Sequence, residues 1–150
     1  MSVVVHMVRD MPLSAHERQQ FLAEPHVAAL SVTAGPNRGP LTVPIWYQYA
    51  PGGLVWILTP PESRKAKLIE SSGRFTLLVQ RTTPTTRYVS VEGRVTDMRP
   101  STEDEVGQMA CRYLPADQVG PYIEFARHEH LIQMTPERWL SADLGSMGSS

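Results

Sequence analysis

The chain has 150 residues, with 14 basic and 15 acidic side chains and a formal net charge of -1. That length suits one domain able to bury a single core without disulfides or structural metal. The charge balance excludes a general nucleic-acid binder, which carries a clear basic excess, so any anion site has to be local. The single cysteine, Cys111, leaves no internal disulfide and no cysteine-cluster metal site, as suits a reducing cytoplasm. Its surroundings, Met109-Ala110-Cys111-Arg112-Tyr113, read as helix packing and predict a buried thiol. Met1 to Val8 is apolar but too short for a signal h-region, and Arg9-Asp10 interrupts it. No run approaches the roughly 20 apolar residues of a membrane helix. A soluble, cytoplasmic protein with no nucleic-acid or membrane partner is expected.

Ser14-Ala15-His16-Glu17 is a capping box, with Ser14 as N-cap, and Phe21 and Leu22 give the following short helix its apolar stripe. The helix stops at Glu24-Pro25. Val27 to Thr33 is β-rich, Gly35 to Pro40 is turn chemistry and Leu41 to Tyr49 is a second strand, which together predict a hairpin. Ala50-Pro51-Gly52-Gly53 then turns the chain into Leu54 to Thr59, making three consecutive strands a meander. Beyond Pro60-Pro61 a helix runs from Ser63 to Ser71, with Ala66, Leu68 and Ile69 inward and Gly73 past its end. Arg74 to Gln80 and Arg87 to Met98 are strands. In the second, Val89, Val91, Gly93 and Val95 share one face and Tyr88, Ser90, Glu92 and Arg94 the other, with Gly93 marking a bulge or bend. Ser101-Thr102-Glu103-Asp104 opens a helix to about Leu114, Pro115 ends it, and Val119 to about His128 forms another. His130 to Thr135 is a closing strand. Pro136-Glu137-Arg138-Trp139 leads to a Gly/Ser-rich tail, Gly145 to Ser150, expected to be disordered. The fold class is α+β, mostly β: six antiparallel strands in a small barrel with short helices, one domain over residues 1–144 and a tail over 145–150.

The chemistry concentrates between Leu54 and Val95. Ser63-Arg64-Lys65-Ala66-Lys67 places three cations and a hydroxyl where a strand turns into a helix, a candidate seat for a phosphate. Arg binds two oxygens at once and Lys acts as a point charge, while Ser63 adds its neighbouring amides and Thr59 ends the preceding strand at the same place. An ordinary N-cap beside a solvated charged face is the competing account. His128-Glu129-His130 reads as a helix-to-strand junction, since two histidines two residues apart lie on different helix faces and are weak evidence for a metal in a strand. A haem-ligand role for them is a minor alternative.

Thr59, Ser63 to Ile69, Arg87-Tyr88-Val89-Ser90-Val91-Glu92-Gly93-Arg94-Val95 and Thr135-Pro136-Glu137-Arg138-Trp139, in that order and spacing, resemble the pyridoxamine 5′-phosphate oxidase-like split-barrel superfamily. More closely, the chain is similar to the actinobacterial branch of flavin- and deazaflavin-dependent oxidoreductases. The resemblance implies an FMN-binding type of split β-barrel, a homodimer with two cofactors in grooves between subunits, and coenzyme F420 or, alternatively, FMN as cofactor. The chain is much shorter than the true pyridoxamine phosphate oxidases and lacks their C-terminal basic and aromatic segment, which argues against vitamin B6 oxidation.

On that likeness, Ser63, Arg64, Lys65 and Lys67 would hold the cofactor phosphate with Thr59, and Arg38 or Arg87 would meet the oligoglutamate tail of F420. Val43, Pro44, Ile45 and Trp46 would lie along the ring, because proline leaves a backbone that a planar ring can approach while neighbouring amides bond ring carbonyls. Gln80 would contact the polar edge of the ring; an edge or bulge proline at Pro44, core or dimer packing for Trp46 and a plain strand-end amide for Gln80 are the competing accounts. The expected activity is hydride transfer between reduced F420 and a small electron-poor organic substrate. That chemistry needs no protein nucleophile, only a ring held against substrate with water excluded. Tyr47, Tyr49, Tyr88 and His26 are candidate proton donors, each with an ordinary structural reading as well, and the sequence singles out no catalytic residue. An FMN-dependent oxidoreductase, or a protein that only binds a flavin, deazaflavin or haem, is the alternative.

Overall fold

The computed structural model describes residues 12–145. Four helices, α1 (Ala15–Ala23), α2 (Arg64–Ser72), α3 (Glu103–Tyr113) and α4 (Ala116–Ala126), accompany eight strands among these residues. The strands are β1 (Ala28–Val32), β2 (Leu41–Ile45), β3 (Tyr47–Tyr49), β4 (Val55–Thr59), β5 (Arg74–Arg81), β6 (Thr86–Pro100), β7 (His130–Met134) and β8 (Arg138–Gly145). All pairings are antiparallel, in the order β2-β1-β5-β6-β7-β4-β3, with β8 on β6. The mostly β, α+β split barrel is as expected. The strand count rises from six to eight because Leu41 to Tyr49 is two strands and the segment after Pro136 adds β8. The expected tail over 145–150 begins inside β8 at Gly145; the rest of it, like the apolar start from Met1 to Val8, lies outside the described residues.

The predicted meander is half right. β1 and β2 form the hairpin, with Ala28 opposite Ile45, but β3 turns away and pairs with β4, Tyr47 opposite Ile57. β2 and β3 therefore stand at opposite ends of the strand order, joined only through Trp46. One covalent step brings the two ends of the strand order together without pairing them, so β2 keeps an open edge at this seam.

β6 holds the two halves of the sheet together. Its first half pairs with β5 and β8 and its second half with β7, with a register shift between Val95 and Asp97. The irregularity falls two residues after Gly93, the predicted bulge. Gly93 instead permits a close backbone crossing, since it is buried and a Cβ there would overlap the carbonyl of Thr135. The β7–β8 corner passes over this point, tied by Thr135 N–H to the Arg94 carbonyl (3.0 Å) and Glu137 N–H to the Glu92 carbonyl (2.8 Å).

Inside the barrel, Leu30, Tyr47, Ile57, Leu77, Val89, Val91 and Ile132 are fully buried, and α1 caps the interior with Phe21 and Leu22. The α1 capping box forms as predicted, Glu17 N–H donating to Ser14 Oγ at 3.1 Å and Ser14 N–H to the Glu17 carboxylate at 3.0 Å. A second cluster, Leu58, Val106, Met109, Ala126 and Leu131, joins α3 and α4 to β4 and β7. α4 begins at Ala116, before the predicted Val119, and contains Pro121. Cys111 is exposed rather than buried, because the helical phase that buries Met109 and Ala110 turns the next residue outward.

Gly93→Ala should lower stability by about 3 kcal/mol or more, the upper range for overpacking, because the overlap is with backbone that has no rotamer to relax. Denaturant titration with comparison of midpoints checks this.

Candidate functional site

The turn from β4 into α2 is built around a two-hydroxyl pair. Thr59, the only buried polar residue among those described, places Oγ1 3.0 Å from Ser63 Oγ. Ser63 is the N-cap of α2 and accepts from Ala66 N–H at 3.3 Å, while Lys67 N–H bonds the Ser63 carbonyl at 3.1 Å. The amides of Arg64 and Lys65, first in the helix, have no acceptor among the described residues. Arg64, Lys65 and Lys67 form no ion pair among the described residues; Arg64 and Lys67 are exposed and Lys65 is half-buried.

Lys65 points into a groove of 380 Å³ whose walls include Pro44, Ile45, Trp46, Tyr122 and Glu129. A second hollow of 310 Å³, lined by Ala29, Thr42, Val43, Leu78 and Gln80, shares Val27 and Pro44 with the first. The two hollows adjoin on either side of Pro44 on the terminal strand β2. Trp46 stacks on Tyr113, with ring centroids 4.6 Å apart and planes 8° from parallel, and Tyr122 tilts against it at 5.5 Å. That wall is fixed from behind. The Tyr113 hydroxyl donates to the His26 carbonyl at 2.7 Å and accepts from the Tyr47 amide at 3.3 Å. Arg112 donates to the carbonyls of Ala23 and Glu24 at 2.8 and 2.9 Å and lies over the Tyr47 ring.

Of the residues expected from sequence, Val43, Pro44, Ile45, Trp46, Lys65 and Gln80 line the groove, and Thr59 and Ser63 build the turn that carries Lys65. Arg87 does not join them. It sits on the inward face of β6 with Val89 and Val91, pairs with Asp143 at 2.8 Å and lies over Phe21. Burial alone would raise the Asp143 pKa, but hydrogen bonds from the Gly145 amide, Thr85 and Arg87 bring it below the usual value. Arg38 is exposed in the β1–β2 turn.

Most of the candidate proton donors hold the scaffold together. Tyr47 donates to the Leu22 carbonyl at 2.7 Å, and burial pushes its pKa well up. Tyr49 accepts from the Gly52 amide, and a His26 ring nitrogen lies 3.0 Å from the Phe21 carbonyl. Tyr88 stands beside Gln80 in the β5–β6 ladder. His128 is exposed and His130 opens β7; no group of three potential metal ligands occurs among the described residues.

Sequence reasoning misses Tyr113, Tyr122 and Glu129. They come from α3, α4 and the α4–β7 junction, which the sequence presents only as helical additions. Burial raises the Glu129 pKa, partly opposed by the Lys65 charge, and burial with the Glu129 charge pushes Tyr122 up to about 12.

Residues 14–142 match the family model described as pyridoxamine 5′-phosphate oxidase, and the chain belongs to that family. The family binds flavins and includes flavin oxidoreductases. No curated protein matches the chain. Among solved structures, a conserved hypothetical protein of Mycobacterium tuberculosis is similar with a TM-score of 0.72 and 22% identity, over 95% of this chain and 92% of that one. A structure named F420 reductase gives 0.62 and 20% over 81% and 94% of the two chains. A FAD-binding protein of Mesorhizobium loti gives 0.64 and 17% over 88% and 94%. At these identities the likeness concerns the fold alone. No helix of the described residues is long and apolar enough to cross a membrane.

Tyr113→Phe removes the acceptor of the Tyr47 amide and should cost about 1–3 kcal/mol, the penalty for a buried donor left unpaired. Equilibrium unfolding measures the loss, and tryptophan fluorescence reports the loosened Trp46 wall.

Proposed function

We propose that the protein is a cytoplasmic oxidoreductase that passes hydride between a reduced flavin-class cofactor, preferentially F420, and a small electron-poor organic substrate. The observation that carries this reading is the pair of adjoining hollows running from Gln80 past Pro44 to Lys65, beside a helix start whose first amides and cations have no partner among the described residues. A phosphate fits that donor set: two amides, Lys65 and, from the first turn of α2, Arg64 and Lys67. Pro44 and its neighbours offer a flat, donor-poor strand edge suited to a ring. When bound, the cofactor supplies the hydride; the chain holds its phosphate, supports its ring and keeps water out of the groove. Arg64, exposed at the phosphate end of the groove, is also open to an acidic tail beyond the phosphate, which favours F420 over FMN.

Replacing Lys65 and Lys67 together with Ala should weaken binding of FMN and of F420 by roughly 100-fold or more, since each charge-assisted bond contributes about 1.5–3 kcal/mol. Added salt should reproduce part of the loss. Fluorescence titration of both cofactors reads this, with F420 expected to bind more tightly. Binding of both cofactors to the double variant at parental strength would overturn the site, and micromolar FMN binding without F420 binding would overturn the preference.

The protein is further proposed to act as a homodimer. Pro44, Ala29, Leu78, Ser90 and Leu140 are in register across β2, β1, β5, β6 and β8, and on this row Leu78 and Leu140 are 38% and 64% exposed. The row borders the hollow lined by Leu78, so a second copy laid on it would roof the groove. Leu78→Glu with Leu140→Glu should yield a monomer in light scattering and weaken cofactor binding. A monomeric parent that binds cofactor would contradict the proposal.

A further inference from the structure

We infer that Glu129 is the proton donor of the groove, its carboxyl loaded with a proton when the phosphate seat at Lys65 is filled. This rests on the cofactor reading above and adds to it the acid that hydride transfer leaves unassigned.

Glu129 stands where two hollows meet. It lines the main groove opposite Trp46, and also the adjoining cleft formed with Pro60, Pro61, Glu62, Phe125 and His128. Its backbone is fixed, with the carbonyl accepting from Ser101 N–H at 3.1 Å and Ser101 Oγ at 2.7 Å, and its amide donating to the Ala126 carbonyl at 3.0 Å. Its carboxyl, by contrast, has no hydrogen bond and no ion pair within 4.0 Å among the described residues, so both oxygens remain available to a ligand. The charged and titratable groups around it are Lys65 from α2, Tyr122 from α4, and Glu62 and His128 along the cleft. His130 follows at the start of β7. Only Lys65 is a fixed cation, and it is near enough to lower the Glu129 pKa against the effect of burial.

That arrangement couples the two ends of the site. A phosphate monoester, as in FMN, carries about -1.5 to -2 charges, and a diester that continues into a tail carries less. Seated on Lys65, it cancels the one cation that favours the Glu129 carboxylate and adds repulsion of its own, so the carboxyl takes up a proton. Reduction of a conjugated carbonyl needs this proton. The substrate C=C π bond breaks, its β-carbon gains a hydride, which carries both electrons, from the reduced cofactor, and the resulting enolate oxygen or α-carbon takes the proton as the Glu129 O–H bond breaks. The carboxylate left behind regains a proton from water at the groove mouth.

The sign follows from linkage. A carboxyl whose pKa is higher in the bound state makes binding draw protons in, and makes wild-type affinity rise, relative to a variant that cannot titrate, as pH falls through that pKa. The test is calorimetric titration of the full chain with FMN and with F420, in buffers of different ionisation enthalpy between pH 5 and 8. Parallel titrations of Glu129→Gln cancel the protons that belong to the phosphate itself. Wild type should take up more protons than Glu129→Gln, by at most about one per site, and only in wild type should infrared difference spectra gain a protonated-carboxyl band on loading. Lys65→Met should shrink the uptake, because the cation whose neutralisation drives it is then already absent from the free protein. Equal proton counts in wild type and Glu129→Gln, with both binding cofactor, would overturn the role of Glu129 and leave the cofactor reading intact. Failure of both proteins to bind either cofactor would overturn the cofactor reading and this inference with it.

Discussion

The covalent step at Trp46, where the chain leaves one end of the strand order and enters the other, is the constraint on which the structure depends. β2 and β3 are consecutive in sequence yet have different partners, β1 on one side and β4 on the other. Trp46 therefore lies at a seam rather than inside a ladder, with its ring free to form a wall. The seam is held by contacts from distant parts of the chain: the Tyr113 hydroxyl on the Tyr47 amide, Arg112 on the end of α1, and Tyr47 on the Leu22 carbonyl. The first satisfies a backbone amide at the broken ladder and the other two cap the last carbonyls of α1, so the helix end and the seam are fixed together.

The second determinant is electrostatic and local. A chain with a net charge of -1 has no general attraction for anions. In the proposed reading, affinity for a phosphate comes from a few groups held in place, and the Thr59–Ser63 hydroxyl pair fixes the turn that carries them: Ser63 caps the helix start from which the first amides and Lys65 extend. Lys65 differs from its neighbours because helical phase turns it toward the groove while Arg64 and Lys67 face solvent. Remote Arg87 is withdrawn by Asp143, a partner that only the pairing of β8 with β6 brings near.

Local chemistry is readable in the sequence and partner choice is not. The Ser14 capping box, the Ser63 N-cap and the inward face Val89, Val91 and Gly93 depend on residues a few positions apart, and they form as the pattern states. Leu41 to Tyr49 keeps one burial phase throughout, odd positions inward, so nothing local betrays the change of neighbour at Trp46. β8 is similar: Arg138 to Gly145 mixes large apolar, polar and small residues without a clear strand pattern, and it is a strand because β6 offers it a free side. The groove residues on β2 and α2 are legible because they sit in contiguous motifs. Tyr113, Tyr122 and Glu129 meet that groove only through the packing of α3 and α4, and Glu129 lies between two histidines that draw attention to metals.

The most direct test of the central claim is a crystal structure of the protein with FMN or F420 bound. The account predicts the phosphate within hydrogen-bonding distance of Lys65 and the first amides of α2, with the ring along Val43 to Trp46. A phosphate bound elsewhere, for instance on Arg81 and Arg87 at the far end of β6, would contradict it.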